Sequence, residues 1–194
     1  MVCIRCDKGD KRGLIIRDML LKSLIPTAVG DEPSLLDYAL VAVEFMEDDK
    51  ADRVVFCDAE CTVLCDGEAI LSPERRKAEL FRLIARIEDV LLIKYGFDPY
   101  TVVRGHFYDS PDVTRFRGRE CPFTLAERMI LRFLSVCGEK RATAPTVRAY
   151  CLSDTTSPNA VAVHVKRIND RAYIVSPKNV ISTRRYEGYR LSYL

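Results

Sequence analysis

A chain of 194 residues, 48% of them hydrophobic, is long enough for one large domain or two small ones and lacks the composition of a disordered protein. It contains no run of about 18 uncharged apolar residues, so no transmembrane helix is expected. The net charge of +2 conceals an imbalance. Residues 1–100 carry 14 basic and 20 acidic side chains, whereas residues 101–194 carry 16 and 8, which implies two domains, the second of them facing a polyanion. The charged start, MVCIRCDKGDKR, has no apolar signal region, and a cytoplasmic protein is expected.

Val2–Cys6 reads as a short strand. Leu14–Ile25 is amphipathic, with Arg17, Asp18, Lys22 and Ser23 between apolar positions, and reads as a helix. Pro26–Pro33 reads as a loop, after which Ser34 caps a second helix, Leu35–Met46. Arg53–Cys57 is an apolar strand closed by Asp58. Thr62–Cys65 and Glu68–Leu71 flank Asp66-Gly67, a strong hairpin-turn signal. Ser72 and Pro73 then open a long helix from Glu74 to about Val90, with proline at the position where its missing N–H is not needed. Leu91–Lys94 is expected as a further strand, broken by Gly96–Pro99.

Eight cysteines without a secretory signal are expected as free thiols. Five lie in the first half. Cys3, Cys6, Cys57, Cys61 and Cys65 are able in principle to offer thiolates to zinc or an iron–sulfur cluster. Their spacing is not a standard one, and 57, 61 and 65 would share one face of a strand, which equally suits small core residues. A thiol- or metal-sensing regulator is therefore the alternative reading of this half. No nucleophile–base motif, glycine-rich phosphate loop or HExxH is present, so no catalysis is expected.

From Thr101 the pattern changes. Thr101–Arg104, His106–Tyr108 and Val113–Arg117 read as short strands with turns at Ser110-Pro111 and Gly118. Thr124 and Glu127 form a full capping box for a helix Leu125–Val136, stopped at Gly138. Thr143 caps another helix, with Pro145 in its first turn, running to about Leu152. Ala160–Ile168 places Val161, Val165 and Ile168 on one face of a third helix. Val180–Leu191 reads as a hairpin with Arg184, Arg185, Glu187 and Gly188 at its turn.

Three stretches carry a family resemblance. Arg117-Gly118-Arg119-Glu120-Cys121-Pro122-Phe123-Thr124-Leu125-Ala126-Glu127 resembles the last N-terminal strand and helix start of the winged-helix domain of OmpR-type response regulators. Val161-Ala162-Val163-His164-Val165-Lys166-Arg167-Ile168 resembles its recognition helix. Ile181-Ser182-Thr183-Arg184-Arg185-Tyr186-Glu187-Gly188-Tyr189-Arg190-Leu191 resembles its wing. The resemblance implies a sequence-specific, duplex-DNA-binding transcription regulator, a homodimer, with RNA polymerase as a further partner; a protein-interaction module that keeps the winged-helix fold without DNA binding is the other alternative. It points Asn159 and Val163 into the major groove, and Lys166 and Arg167 at bases or phosphates. Arg184 and Arg185 would reach an adjacent minor groove or backbone, and Thr146 and Arg148 would meet phosphates. The chain departs from the family at Asn159, Ala162, Asn169 and Tyr186, where arginine, aspartate, arginine and glycine are common, so its recognition helix is the less basic one.

The same resemblance implies that residues 1–98 are an α/β receiver-like domain in degenerate, truncated form, followed by an α+β winged helix-turn-helix over residues 101–194. Asp7 would be the remnant of the acidic pair, Asp58 the phosphoacceptor and Lys94 the strand-end lysine, with Mg²⁺ required only if that centre works. Only 36 residues separate Asp58 from Lys94, too few for the usual units. The expectation is a βα unit lost or rebuilt, and a regulatory or dimerisation domain that acts without phosphorylation.

Overall fold

The computed structural model describes residues 1–46, 52–57, 63–70, 76–153 and 156–192, and side chains for 1–45, 80–153 and 156–192. It is a mixed α/β protein whose chain divides into two compact units, Met1–Pro99 and Tyr100–Leu194. Among the described residues no helix is long and apolar enough to cross a membrane.

The first unit contains β1 (Val2–Arg5), α1 (Lys11–Lys22), β2 (Thr27–Val29), α2 (Pro33–Leu36), β3 (Val41–Met46), β4 (Asp52–Cys57), β5 (Val63–Ile70) and α3 (Arg76–Tyr95). Its sheet runs β2-β1-β3-β4-β5. β1 pairs in parallel with β2 and β3, whereas β3–β4 and β4–β5 are antiparallel. Val2, Cys3 and Ile4 are fully buried, as an unbroken apolar strand must be when both faces of a parallel sheet are covered. Asp10 caps α1 by accepting from the Arg12 backbone N–H at 2.8 Å. The helix buries Gly13, Ile16, Arg17 and Leu20 on one stripe, and Arg17 Nε donates to the Thr27 carbonyl at 3.2 Å.

Five expectations for this unit are corrected. Val41–Met46 is a strand, not helix; it is paired on both sides, by β1 and β4, and such tertiary pairing outweighs a local helical reading of Val-Ala-Val. The helix before it is short and starts at Pro33, with Glu32 rather than Ser34 at the cap. Thr27–Val29, read as loop, is the edge strand β2. Asp66-Gly67 is not a hairpin turn: β5 passes through it, and the register jumps from Glu68 opposite Val54 to Cys65 opposite Phe56, which is a β-bulge. Leu91–Lys94 belongs to α3. There Leu83, Ile87 and Leu91 repeat every four residues and are buried, so the apolar run continues a helix stripe rather than starting a strand.

The second unit contains β6 (Val102–Arg104), β7 (Phe107–Asp109), β8 (Thr114–Phe116), β9 (Arg119–Glu120), α4 (Leu125–Cys137), α5 (Ala144–Cys151), α6 (Ala160–Ala172), β10 (Ile181–Arg184) and β11 (Gly188–Leu191). β6 to β9 form an antiparallel meander. The last strand, β9, lies in the stretch whose resemblance implied a strand and helix start, although the local pattern ended at Arg117; Arg117 and Gly118 reach it through a two-residue turn with φ of 52° and 75°, the geometry that matches hairpin twist. The capping box of α4 is formed: Thr124 Oγ1 accepts from the Glu127 N–H at 3.4 Å, and Glu127 Oε2 accepts from the Thr124 N–H at 2.8 Å. Gly138, at φ 62°, ends the helix.

Asp109 ties the meander to α4. It is fully buried and accepts from Thr114 Oγ1, from Arg128 Nε at 2.8 Å and from Arg132 Nε. Phe133 of α4 stacks on Tyr150 of α5 at 4.9 Å between centroids. Val161, Val165, Ile168 and Ala172 form the buried stripe of α6.

Candidate nucleic-acid interface

α6 owes its orientation to that stripe. With Val161, Val165 and Ile168 turned inward, Asn159, Ala162, Val163, Lys166 and Arg167 are exposed. Asn159 stands at the helix N-cap but makes no side-chain capping bond; its backbone N–H donates to Ser157 Oγ at 3.3 Å and its carbonyl accepts from the Val163 N–H at 3.2 Å. Its carboxamide is thus available as a donor and acceptor pair. Val163 is 46% exposed, an apolar methyl pair in the middle of a polar face. Among the described residues, no carboxylate pairs with Lys166, Arg167 or Arg185. His164 turns partly inward; burial pulls its pKa below the usual range, against the opposing pull of Glu127.

The hairpin β10–β11 pairs from Ile181 with Leu191 to Arg184 with Gly188. Two side chains fasten its base. Asn169 of α6 donates to the Ile181 carbonyl at 3.1 Å and accepts from the Ile181 N–H at 2.9 Å. Arg141 donates to the Ser182 and Gly188 carbonyls at 3.3 and 3.1 Å and to Ser182 Oγ at 3.0 Å. Ala142 adds a short bridge to Tyr189, with both N–H···O distances 2.9 Å. At the tip, Arg184 and Arg185 are exposed. Glu187 lies 3.4 Å from both Arg184 and Arg141.

Six of the eight residues expected at the interface therefore stand on exposed parts of α6 and the hairpin: Asn159, Val163, Lys166, Arg167, Arg184 and Arg185. Arg148 is half-buried on α5. Thr146 is a correction. It is 4% exposed, its N–H donates to Thr143 Oγ1 at 3.4 Å and its hydroxyl shares a 2.9 Å bond with Thr143, so its polar atoms are spent inside the cap. Arg141 and Asn169 were missed. Asn169 figured only as a departure from arginine, although a carboxamide, with one donor and one acceptor end, is what a bidentate grip on a strand backbone needs.

In the first unit, a recess at the ends of β1 and β3 is lined by Arg5, Cys6, Asp7, Asp31, Glu44 and Phe45. Arg5 donates to Asp31 at 2.8 Å and to Glu44. The Asp31 bond is the chief reason that the Arg5 pKa lies well above its usual range. Those carboxylates already have a guanidinium partner, and the position beside Asp7 is a cysteine. The described donor set does not fit Mg²⁺, which asks for carboxylates and waters in octahedral array.

Asp58 lies outside the described residues, as does Cys61, and the side chains of Cys57 and Cys65 are likewise undescribed. β4, the strand before Asp58, runs antiparallel to β3, and its last residue, Cys57, pairs with Ala42 near the start of β3. That is the opposite end of the sheet from Asp7. Lys94 is exposed on the last turn of α3, its ammonium 5.6 Å from the Tyr95 ring centroid, not at a strand end. Cys3 is buried and its thiol donates to the Gly30 carbonyl at 3.5 Å. Burial, with Asp10 nearby, pushes the Cys6 thiol up to about 11, away from the thiolate that metals and oxidants require.

In the second unit, then, three helices follow a small antiparallel sheet, and the last of them is followed by a hairpin fastened beside it. No family model and no curated protein matches the chain. Solved structures do resemble it. The DNA-binding domain of the response regulator AdeR, solved with an intercistronic region, is 18% identical over 48% of this chain and 100% of that one, with a TM-score of 0.44. The Thermotoga maritima response regulator DrrB, an OmpR/PhoB homologue, is 16% identical over 98% of this chain and 77% of its own, at 0.44. A streptococcal redox sensor evolved from two-component response regulators is 16% identical over 59% of this chain and 54% of that one, at 0.40.

Proposed function

We propose that the chain is a sequence-specific transcription regulator that binds duplex DNA through its second unit. The observation that carries this is the single exposed surface of α6, on which Asn159, Val163, Lys166 and Arg167 stand together, followed by a clamped hairpin tipped with Arg184 and Arg185. A helix of that diameter fits the major groove. Asparagine matches the donor–acceptor edge of adenine and valine the thymine methyl, while Lys166 and Arg167 supply phosphate charge. The hairpin arginines suit the neighbouring minor groove or backbone. The reading requires no catalysis.

The double variant Arg184→Ala/Arg185→Ala tests it. Removing two phosphate-range charges is expected to reduce the slope of log affinity against log salt by up to about 1.8 and to weaken binding at least tenfold at low salt. Fluorescence anisotropy on duplexes selected from a random library measures both. Unchanged affinity and slope would remove the hairpin from the interface, and failure of the folded protein to enrich any duplex would sink the function.

The first unit, in this reading, regulates or dimerises the protein without phosphorylation. The arginine-filled recess, and the antiparallel β4 before residue 58, support the latter. For dimerisation the support is α3, which leaves Phe81, Leu92 and Ile93 exposed at 57, 50 and 83%, an unusual amount of apolar side chain on one helix. Two-fold pairing would match the two half-sites that helix-turn-helix dimers bind. The expected result in sedimentation is a concentration-dependent dimer that Phe81→Glu/Ile93→Glu converts to monomer. A wild-type protein that is monomeric at every concentration would contradict it.

A further inference from the structure

The tip of the hairpin holds a residue that neither packing nor backbone preference explains. Tyr186 is 88% exposed, so its ring gains almost nothing from burial. Its φ is +68°, a left-handed conformation that glycine adopts at no steric cost and that is a genuine outlier for a bulky side chain. What the ring does contact is its neighbour: the Arg185 guanidinium lies over it, 5.0 Å from the centroid. A strained, solvent-facing aromatic that holds a cation is a feature to read for function, because such outliers collect at binding sites.

The surroundings show what the pair faces. The groove beside it is lined by Thr143, Ala144 and Pro145 and by Arg184, Arg185 and Tyr186, so the hairpin tip and the start of α5 share one surface. Arg184 is partly neutralised by Glu187 at 3.4 Å. Arg185 has no carboxylate partner among the described residues. Of the two arginines it is the one without a neighbouring carboxylate among the described residues, and the tyrosine is what limits its freedom. An arginine has many rotamers to lose on entering a narrow groove; one already laid against a ring has fewer.

We propose that Tyr186 is a positioning residue for DNA recognition: it holds Arg185 extended from the hairpin tip so that Arg185 reads the width of a minor groove flanking the site bound by α6. This rests on the DNA-binding reading above and adds to it a preference. A narrow, A·T-rich minor groove concentrates negative potential and attracts an inserted arginine, so flanks containing A-tracts are favoured over G·C-rich flanks even though no base edge is hydrogen-bonded.

The test uses the full chain and a selected site carried in two duplexes that differ only in flank, A-tract or G·C-rich. Wild-type protein is expected to prefer the A-tract flank by roughly three- to tenfold. Tyr186→Gly and Tyr186→Asn, which both tolerate positive φ, are expected to bind the two duplexes alike while melting no lower than wild type. Tyr186→Phe, which keeps the ring, retains the preference. A merely structural tyrosine would give the opposite pattern in melting temperature and no change in flank preference. If the preference survives in Tyr186→Gly, or is lost equally in Tyr186→Phe, the proposal is wrong. If Arg184→Ala/Arg185→Ala weakens binding while Tyr186→Gly changes nothing, only this proposal fails. If wild-type protein binds neither duplex, the DNA-binding reading fails with it.

Discussion

Asp109→Ala is expected to destabilise the second unit by about 3–5 kcal/mol, the loss seen when one partner of a buried ion pair is removed. The reason lies in what would remain. Arg132 is fully buried, and its guanidinium has Asp109 as carboxylate partner on one side and the Asp109 carbonyl at 3.5 Å. Without the carboxylate, a guanidinium held away from water loses the counter-charge it contacts. Arg128 would suffer less, since it is partly exposed and still donates to the Ser110 carbonyl at 2.5 Å. A loss of that size is a large fraction of the roughly 5–15 kcal/mol that stabilises an ordinary domain. Urea denaturation of the full chain, followed by a probe in the second unit, measures it. Asp109→Leu/Arg132→Met removes both charges and keeps the volume, and is expected to recover most of the loss. A single variant within 1 kcal/mol of wild type would show that Asp109 does not carry Arg132.

How much of this was legible beforehand differs between the units, for physical reasons. In the second, local signals and tertiary contacts agree. Thr124 and Glu127 mark a helix start and form the box there; Gly138 marks the stop and adopts φ 62°. Val161, Val165 and Ile168 predict a buried face and form it. Such agreement between levels is what makes a segment readable. In the first unit the deciding contacts are remote. Val41–Met46 becomes strand because β1, some 39 residues earlier, and β4 flank it, and no local residue announces that. Asp66-Gly67 is an honest turn signal absorbed as a bulge. At the interface, residues that project from α6 follow from its period, whereas Arg141 does not: its acceptors are 41 and 47 residues away. Thr146 failed for the reverse reason. A hydroxyl near a helix start looks available for phosphate, but here it is taken by the capping threonine three residues before it.

Gly188→Ala should cost about 2–4 kcal/mol, combining backbone strain with an unrelieved clash. Gly188 has φ +100°, where an L side chain is disfavoured whatever the space. A Cβ there would also lie 2.1 Å from the Ala142 carbonyl oxygen and 2.6 Å from its carbon, and these are backbone atoms, unable to rotate away as a side chain would. The bonds between Ala142 and Tyr189, both 2.9 Å, sit beside the clash and are expected to break first. Arg141 would then lose its alignment on the Gly188 carbonyl, and the base of the hairpin would be held by Asn169 and by what remains of the Arg141 bonds to Ser182. The effect therefore reaches beyond stability: on the DNA-binding reading, a hairpin free to swing presents Arg184 and Arg185 in many poses, and affinity falls while binding by α6 persists. Hydrogen exchange at the Tyr189 N–H, thermal melting and duplex affinity give three separate readouts. A Gly188→Ala protein whose Tyr189 amide stays protected and whose melting is unchanged would mean that the hairpin shifts as a body to admit the methyl group, and that the bridge to Ala142 does not fix its position.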